Sequence, residues 1–306
     1  MKIKEETIMK IRKALTALIS AAFITAAFAG CGSAAGGDTE KTTTTAKTEA
    51  AGSGTAENTA EAGKELTVIK GLADLTPHSE ILEYVEPKLN EKGYTVDIVS
   101  TASDATWNEK TQNGEVDFNF MQHEPYLIEW NEINSGTLVN IGNIHVEPIA
   151  AYSEKYATAD EVPDDATVVI PDDATNEYRA LRILEQQGWI KLGDTQNARA
   201  SVADITEFVK PIKITELDSY QINAHISEFD VYINNTNKVI EAGLDATKFL
   251  FREGEDSPYA NIIVTTPEKA NDPGLKALVE VLQSEDTAKF IIEKYNGAVV
   301  PVTKVS

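Results

Sequence analysis

Gly114-Glu-Val-Asp-Phe-Asn-Phe-Met-Gln-His-Glu-Pro-Tyr-Leu127 is the stretch on which the reading of this sequence turns. Val116–Phe120 reads as a short strand and is followed by a helix around Pro125–Asn134. The same strand-then-helix order continues on both sides. Toward the N-terminus lie a strand over Leu66–Leu72 and a second strand over Tyr94–Val99, where apolar and polar residues alternate. Between them, His78–Glu91 sets Ile81, Leu82, Val85 and Leu89 on one helical face, the i, i+3, i+4 pattern of a helix buried on one side. Toward the C-terminus, Leu138–Ile141, Ile144–Tyr152 and Thr167–Ile170 read as strands, and Asn176–Gln187 as a helix that Gly188 ends. Further strands are expected at Ile212–Leu217, Phe229–Ile233 and Ala260–Val264, with closing helices at Pro273–Gln283 and Asp286–Tyr295. Alternation of this kind implies parallel sheets with ligand sites at the carboxyl ends of their strands. No internal repeat of fixed period is present. The pattern restarts near Ala151, which predicts two α/β lobes.

The ends of the chain say where the protein is expected to work. Lys10, Arg12 and Lys13 precede an apolar run, Ala14–Ala27, that ends in Phe28-Ala29-Gly30-Cys31. A run of about fifteen residues is a signal peptide in length and falls short of the roughly twenty that span a bilayer. The small residues before Cys31 resemble a bacterial lipobox, in which the cysteine receives a diacylglyceryl group and becomes the new N-terminus. The alternative is an ordinary signal peptide with an incidental cysteine. Met1 and Met9 are both candidate starts, and residues 1–8 add two acids that a signal n-region does not favour. Cys31 is the only cysteine, so no internal disulfide can form. Residues 32–64 are Ala, Gly, Thr, Ser and Glu with hardly a large apolar side chain, a composition expected to remain a tether. A coil of that length spans on the order of 30 Å. The formal charge of −22, from 49 acidic and 27 basic residues, argues against nucleic acid and against adhesion to anionic lipid heads.

Six segments, in order, resemble the methionine-import lipoproteins of the NlpA (MetQ-type) family. They are Gly114–Leu127, Ile144-His-Val-Glu-Pro148, Ile170-Pro-Asp-Asp-Ala-Thr-Asn-Glu-Tyr-Arg-Ala-Leu181, Phe229-Asp-Val-Tyr-Ile-Asn234 followed by Glu241-Ala-Gly-Leu244, Asp256-Ser-Pro-Tyr-Ala-Asn261, and Tyr295-Asn-Gly-Ala-Val-Val-Pro301. The likeness covers Leu66–Val302. It implies a periplasmic-binding-protein-like fold of type II, with two α/β lobes, a two-segment hinge and a ligand cleft between them. Residues 65–148 and 238–306 would form lobe 1 and 149–237 lobe 2, hinged near Glu147–Ile149 and Asn234–Lys238. The implied function is a lipid-anchored, extracytoplasmic, monomeric binding protein. It would capture methionine, the L-form first and the D-form as an extension, and deliver it to the permease and ATPase of an ABC transporter. Neither a cofactor nor catalysis is implied.

A free amino acid brings a carboxylate that needs a fixed cation, and arginine's planar fork binds both its oxygens. The resemblance makes Arg179 that clamp, near a helix start that also favours an anion; the bland reading is a surface arginine. Asn176, three residues earlier, would contact the ligand or serve as a helix N-cap. Asn234 and Asn261 would meet the ligand's amino-acid moiety, whereas each alone reads as a turn or strand-edge asparagine. His123 and Tyr126 would line the pocket, with Gln122 behind them. Five positions depart from the family: Asp104 stands where a tyrosine is usual, Met121 where a phenylalanine is, Tyr178 where a small residue is, and Asp172 and Ala174 where an asparagine and a proline are. Met121 remains suited to a thioether, while Asp104 would favour a polar or cationic ligand. The runner-up ligands are therefore another amino acid or a methionine-containing dipeptide.

Other classes are weaker. The sequence has no nucleophile elbow, no phosphate loop and no cysteine nucleophile once Cys31 is acylated. His78, His123, His145 and His225 are widely spread, and none pairs at an i, i+4 ligand spacing, so a metal-binding lipoprotein ranks lower. Nothing in the sequence argues for an adhesin.

Overall fold

The computed structural model describes residues 65–305 except 102, 105, 196–198 and 255–256. The expected signal peptide, lipobox Cys31 and tether lie outside the described residues. Two sheets, each backed by its own core, account for most of the chain. The first is six-stranded. Its members are β1 (Thr67–Ala73), β2 (Tyr94–Ser100), β3 (Phe118–His123), β4 (Val139–Val146), β12 (Ala260–Thr265) and β13 (Val300–Pro301), in the order β13-β4-β12-β3-β1-β2. β1 runs parallel to β2 and β3, while β12 is antiparallel to both β3 and β4. All six residues of β12 are buried, which suits the apolar run Ile262–Val264 at its centre. Gly71 in β1 is required by close approach, since a Cβ there would lie 2.4 Å from the Phe118 ring.

Against this sheet pack α1 (Glu80–Glu91), α7 (Pro273–Leu282) and α8 (Glu285–Lys294). The expected stripe of α1 is the buried one: Ile81, Leu82, Val85 and Leu89 enter a core with Phe118, Phe120, Leu278 and Ile291. Two further helices, α2 (Trp107–Gln112) and α3 (Glu124–Asn134), flank β3.

The second sheet has the order β11-β5-β10-β6-β9. It is built from β5 (Ala150–Tyr152), β6 (Thr167–Pro171), β9 (Lys213–Leu217), β10 (Val231–Asn234) and β11 (Phe251–Arg252). A small antiparallel pair, β7 (Ile190–Leu192) and β8 (Ile205–Phe208), stands beside it. α4 (Ala174–Gln186) covers one face through Ala180, Leu181, Ile183 and Leu184. α5 (Ser219–His225) and α6 (Thr236–Glu241) contribute Ile222 and Val239 to a further cluster with Tyr152 and Tyr232.

The chain passes between the sheets twice. The outward crossing is Glu147-Pro148-Ile149, between β4 and β5. The return was expected at Asn234–Lys238 but lies after Arg252, because β11 still pairs with β5. The second sheet's segment thus extends beyond residue 237. Positions 234–238 are instead the entry to α6, where the chain turns under the cleft. β11 leaves no trace in the pattern of residues, since two residues are too few to show a period.

Candidate functional site

A cavity of about 390 Å³ opens between the sheets, within the roughly 300–1,000 Å³ usual for small-molecule sites. Its first wall rises from the carboxyl ends of β1 and β3. His123 ends β3 and caps α3, its Nδ1 accepting the Tyr126 backbone N–H at 3.2 Å. That bond fixes the tautomer: Nε2 carries the proton and points to Asn176 Oδ1 at 3.3 Å. Burial, and next the Arg179 charge, hold the His123 pKa down to about 3, so the ring is neutral. Met121 and Tyr126 also line the cavity, and burial raises the Tyr126 phenol to about 12. Behind this wall lies a buried amide network. Gln122 Nε2 donates to Asn108 Oδ1 at 2.6 Å and to Asn119 Oδ1 at 2.7 Å, while Asn108 Nδ2 returns a bond to Gln122 Oε1 at 3.0 Å. Asp104 reaches the cavity from a loop and is exposed there. Its carboxyl is held below the ordinary range by the Thr106 hydroxyl and backbone N–H.

The second wall comes from α4, α5 and the entry to α6. Asp173 caps α4, accepting from the Asn176 backbone N–H at 3.0 Å, so Asn176 is not the cap. The Asn176 side chain is instead the meeting point of the two walls. Its Oδ1 accepts from Arg179 Nη1 at 3.0 Å and Asn235 Nδ2 at 3.2 Å and faces His123. Asp218 caps α5 in the same way and brings Tyr220 to the cavity, where its hydroxyl meets Ser103 of the opposite wall.

Arg179 and Asn234 are not on the cavity surface. Arg179 is buried, its Nε and Nη2 donating to Glu253 Oε1 at 3.3 Å and Oε2 at 2.7 Å, with Tyr259 stacked on the guanidinium. Nη2 also donates to the Glu147 carbonyl at 2.9 Å. The cation therefore ties the outward crossing (Glu147) to the return (Glu253), and the carboxylate on it comes from the chain itself. Asn234 is turned inward, Nδ2 to the Ser219 carbonyl at 2.9 Å, and its neighbours Asn235 and Asn237 line the cavity. Asn261 lines it too, with Oδ1 3.0 Å from His78 Nε2.

Sequence reasoning missed three features. The first is Lys238, a buried cation whose Nζ donates to Asp74 Oδ2 at 2.8 Å beneath the cavity and lies 3.8 Å from the Tyr220 ring centroid. The Asp74 charge, the largest favourable influence on it, raises the Lys238 pKa despite burial. The second is Tyr220. The third is a buried group of His78, His145 and Glu147, whose Nε2, Nε2 and carboxylate atoms lie within 4.8 Å of one another. The identity of Glu147 was noted only as part of a crossing, since spacing alone does not show that His78 meets it.

A model of the NlpA lipoprotein family matches residues 72–303. The chain belongs to the NlpA lipoprotein family. Among NlpA lipoproteins and their kin, it is 35% identical over 254 residues to the methionine-binding lipoprotein MetQ of Bacillus subtilis, covering 81% of this chain and 92% of that one. Two solved structures share the fold. Lipoprotein Tp32 from Treponema pallidum has a TM-score of 0.74 at 30% identity, covering 77% of this chain and 99% of that one. A nutrient-binding protein from Burkholderia cenocepacia bound to methionine has a TM-score of 0.73 at 33% identity, covering 76% and 99%. The fold is thus periplasmic-binding-protein-like, as the resemblance implied. No helix among the described residues of this NlpA lipoprotein is long and apolar enough to cross a membrane.

Proposed function

We propose that this protein is a lipid-anchored extracytoplasmic receptor for methionine that delivers it to an ABC transporter. The observation that carries the reading is the cavity between two sheets, where His123, Met121 and Tyr126 face Asn176 and Asn235. Such a site offers polar groups for an amino-acid head and a soft, polarizable surface for a thioether. The methionine-bound relative supports the choice of ligand. Anchoring through Cys31, action as a monomer and hand-over to a permease and ATPase complete the proposal. Nothing in it requires covalent chemistry. Closure would turn on the two crossings, at 147–149 and at Glu253, pinned together by Arg179. Arg179 remains the proposed carboxylate anchor, acting when the ligand's carboxylate shares or displaces Glu253. The departure at Asp104, which lines the cavity, makes another amino acid or a methionine-containing dipeptide the second reading, whereas Tyr178 packs against the second sheet's core.

The test is a thermal-shift panel on refolded, ligand-free protein against all amino acids, D-methionine and glycyl-methionine. A ligand that binds only the native state raises stability by RT ln(1 + [L]/Kd). A shift confined to methionine-like ligands is expected. A shift only with polar or cationic amino acids would replace methionine as ligand, and no shift with any would remove the proposal.

A further inference from the structure

We propose that the Glu147 side-chain carboxylate is the receptor for the ligand's α-ammonium group, and that His78 and His145 position it. The inference rests on the amino-acid reading above. Glu147 lies at the outward crossing, is 3% exposed and lines the cavity floor. One oxygen, Oε1, is held from behind: it accepts from His145 Nε2 at 2.8 Å, and His78 Nε2, bonded to Asn261 Oδ1 at 3.0 Å, stands 3.5 Å from it. Both imidazoles are fully buried, and burial keeps His145 near 3 and His78 below its ordinary value, so each is a neutral ring presenting an N–H. Among the described residues no donor reaches the other oxygen, Oε2. A carboxylate fixed by one oxygen, with the second unfilled beside a cavity, is built to take a cation.

The other acids of the cavity are engaged or wet. Asp74 is paired with Lys238, Asp173 and Asp218 cap helices, and Asp104 is exposed and bonded to Thr106. Asp172 is exposed. Asn261, an alternative through its carbonyl, has that oxygen turned to His78. Burial also raises the proton affinity of Glu147, against His78, Lys238 and Arg179, which lower it, and Asp74, which raises it further. An ammonium arriving at Oε2 favours the ionised carboxylate, so capture of the ligand lowers the proton affinity of Glu147.

The experiment compares L-methionine with 4-(methylsulfanyl)butanoate, which lacks only the amino group, by calorimetry on the purified protein and on E147Q and D172N. The parent is expected to prefer methionine by at least roughly a hundredfold, because a site with a buried polar group left unpaired rejects the analogue. E147Q should bring that ratio to within about tenfold, and D172N should keep it. Titrations of the parent in buffers of different ionisation enthalpy, between about pH 5 and pH 7, should show proton release with methionine and less with the analogue. A full ratio in E147Q, its collapse in D172N, or equal proton release by the two ligands would each overturn the assignment. If E147Q does not fold, D172N and the proton count decide. A parent that binds neither compound would instead bring down the methionine reading, and this inference with it.

Discussion

The two walls of the cavity are made of different materials. Behind the first stands a neutral lattice of Asn108, Asn119, Gln122 and Thr111, all buried and bonded to one another. The second is held by charges: Asp173 and Asp218 as helix caps, the Lys238–Asp74 pair beneath it, and Arg179 between the crossings. A neutral network keeps one geometry across pH and salt, and its bonds cannot be exchanged for a ligand's charge. Charged pairs can be traded for a ligand's own groups, which is what a wall that must close and reopen requires. The first wall is therefore held by neutral bonds and the second by charged ones that a ligand's groups can exchange with.

Breaking the charged wall should cost most. Arg179→Met strands Glu253 and the Glu147 carbonyl, and Lys238→Met strands Asp74. Each should lower stability by about 3–5 kcal/mol, since removing one member of a buried pair leaves the other uncompensated. Chemical denaturation measures this, and the double change of Lys238→Met with Asp74→Asn should recover most of the loss. The neutral wall should cost less: Gln122→Leu orphans Asn108 and Asn119 for roughly 1–3 kcal/mol, and that loss should not vary with pH. Asp173→Ala, which removes one cap, should cost about 0.5–2 kcal/mol and free Asn176, so ligand affinity should fall more than stability does.

Acid sharpens the same contrast. Burial raises Glu241, beside Lys238, to about 7. Its folded value lies above its unfolded one, so the folded state holds more protons in that window. Its contribution is present at low pH and is lost as pH rises toward 7. Glu241→Gln should flatten the stability profile there, as read from melting temperatures across pH. Asp74 is displaced downward by Lys238 and His78 against the opposing effect of burial, so its contribution is present at neutral pH and fades in acid.

The contrast also explains what could be read from the sequence. The first wall was legible because its residues are contiguous: β3 runs into α3 within Gly114–Leu127, and His123 and Tyr126 fall where strand and helix meet. The strand itself ends at His123, three residues beyond the expected Phe120, because β12 pairs with it that far. On the second wall only Asn176 was found. Asn235, Asn237 and Lys238 sit at the start of a six-residue helix, and α5 is seven residues long; both are too short to show a period. Asn234 was chosen where its neighbours face the cavity, because a strand end alternates faces and one residue of register decides the side. Arg179 was expected at the ligand's carboxylate, and the sequence does not show that it is buried on Glu253, which lies 74 residues away. The His78, His145 and Glu147 group is likewise assembled from separate elements, and only the fold brings it together.

The most direct test of the central claim is a calorimetric titration of L-methionine into refolded protein, with Asn176→Ala beside it. One methionine per chain is expected for the parent, with affinity at least roughly tenfold weaker in Asn176→Ala, where the contact between the walls is lost. No binding by the parent, or equal binding by both proteins, would contradict a methionine site formed between these two walls.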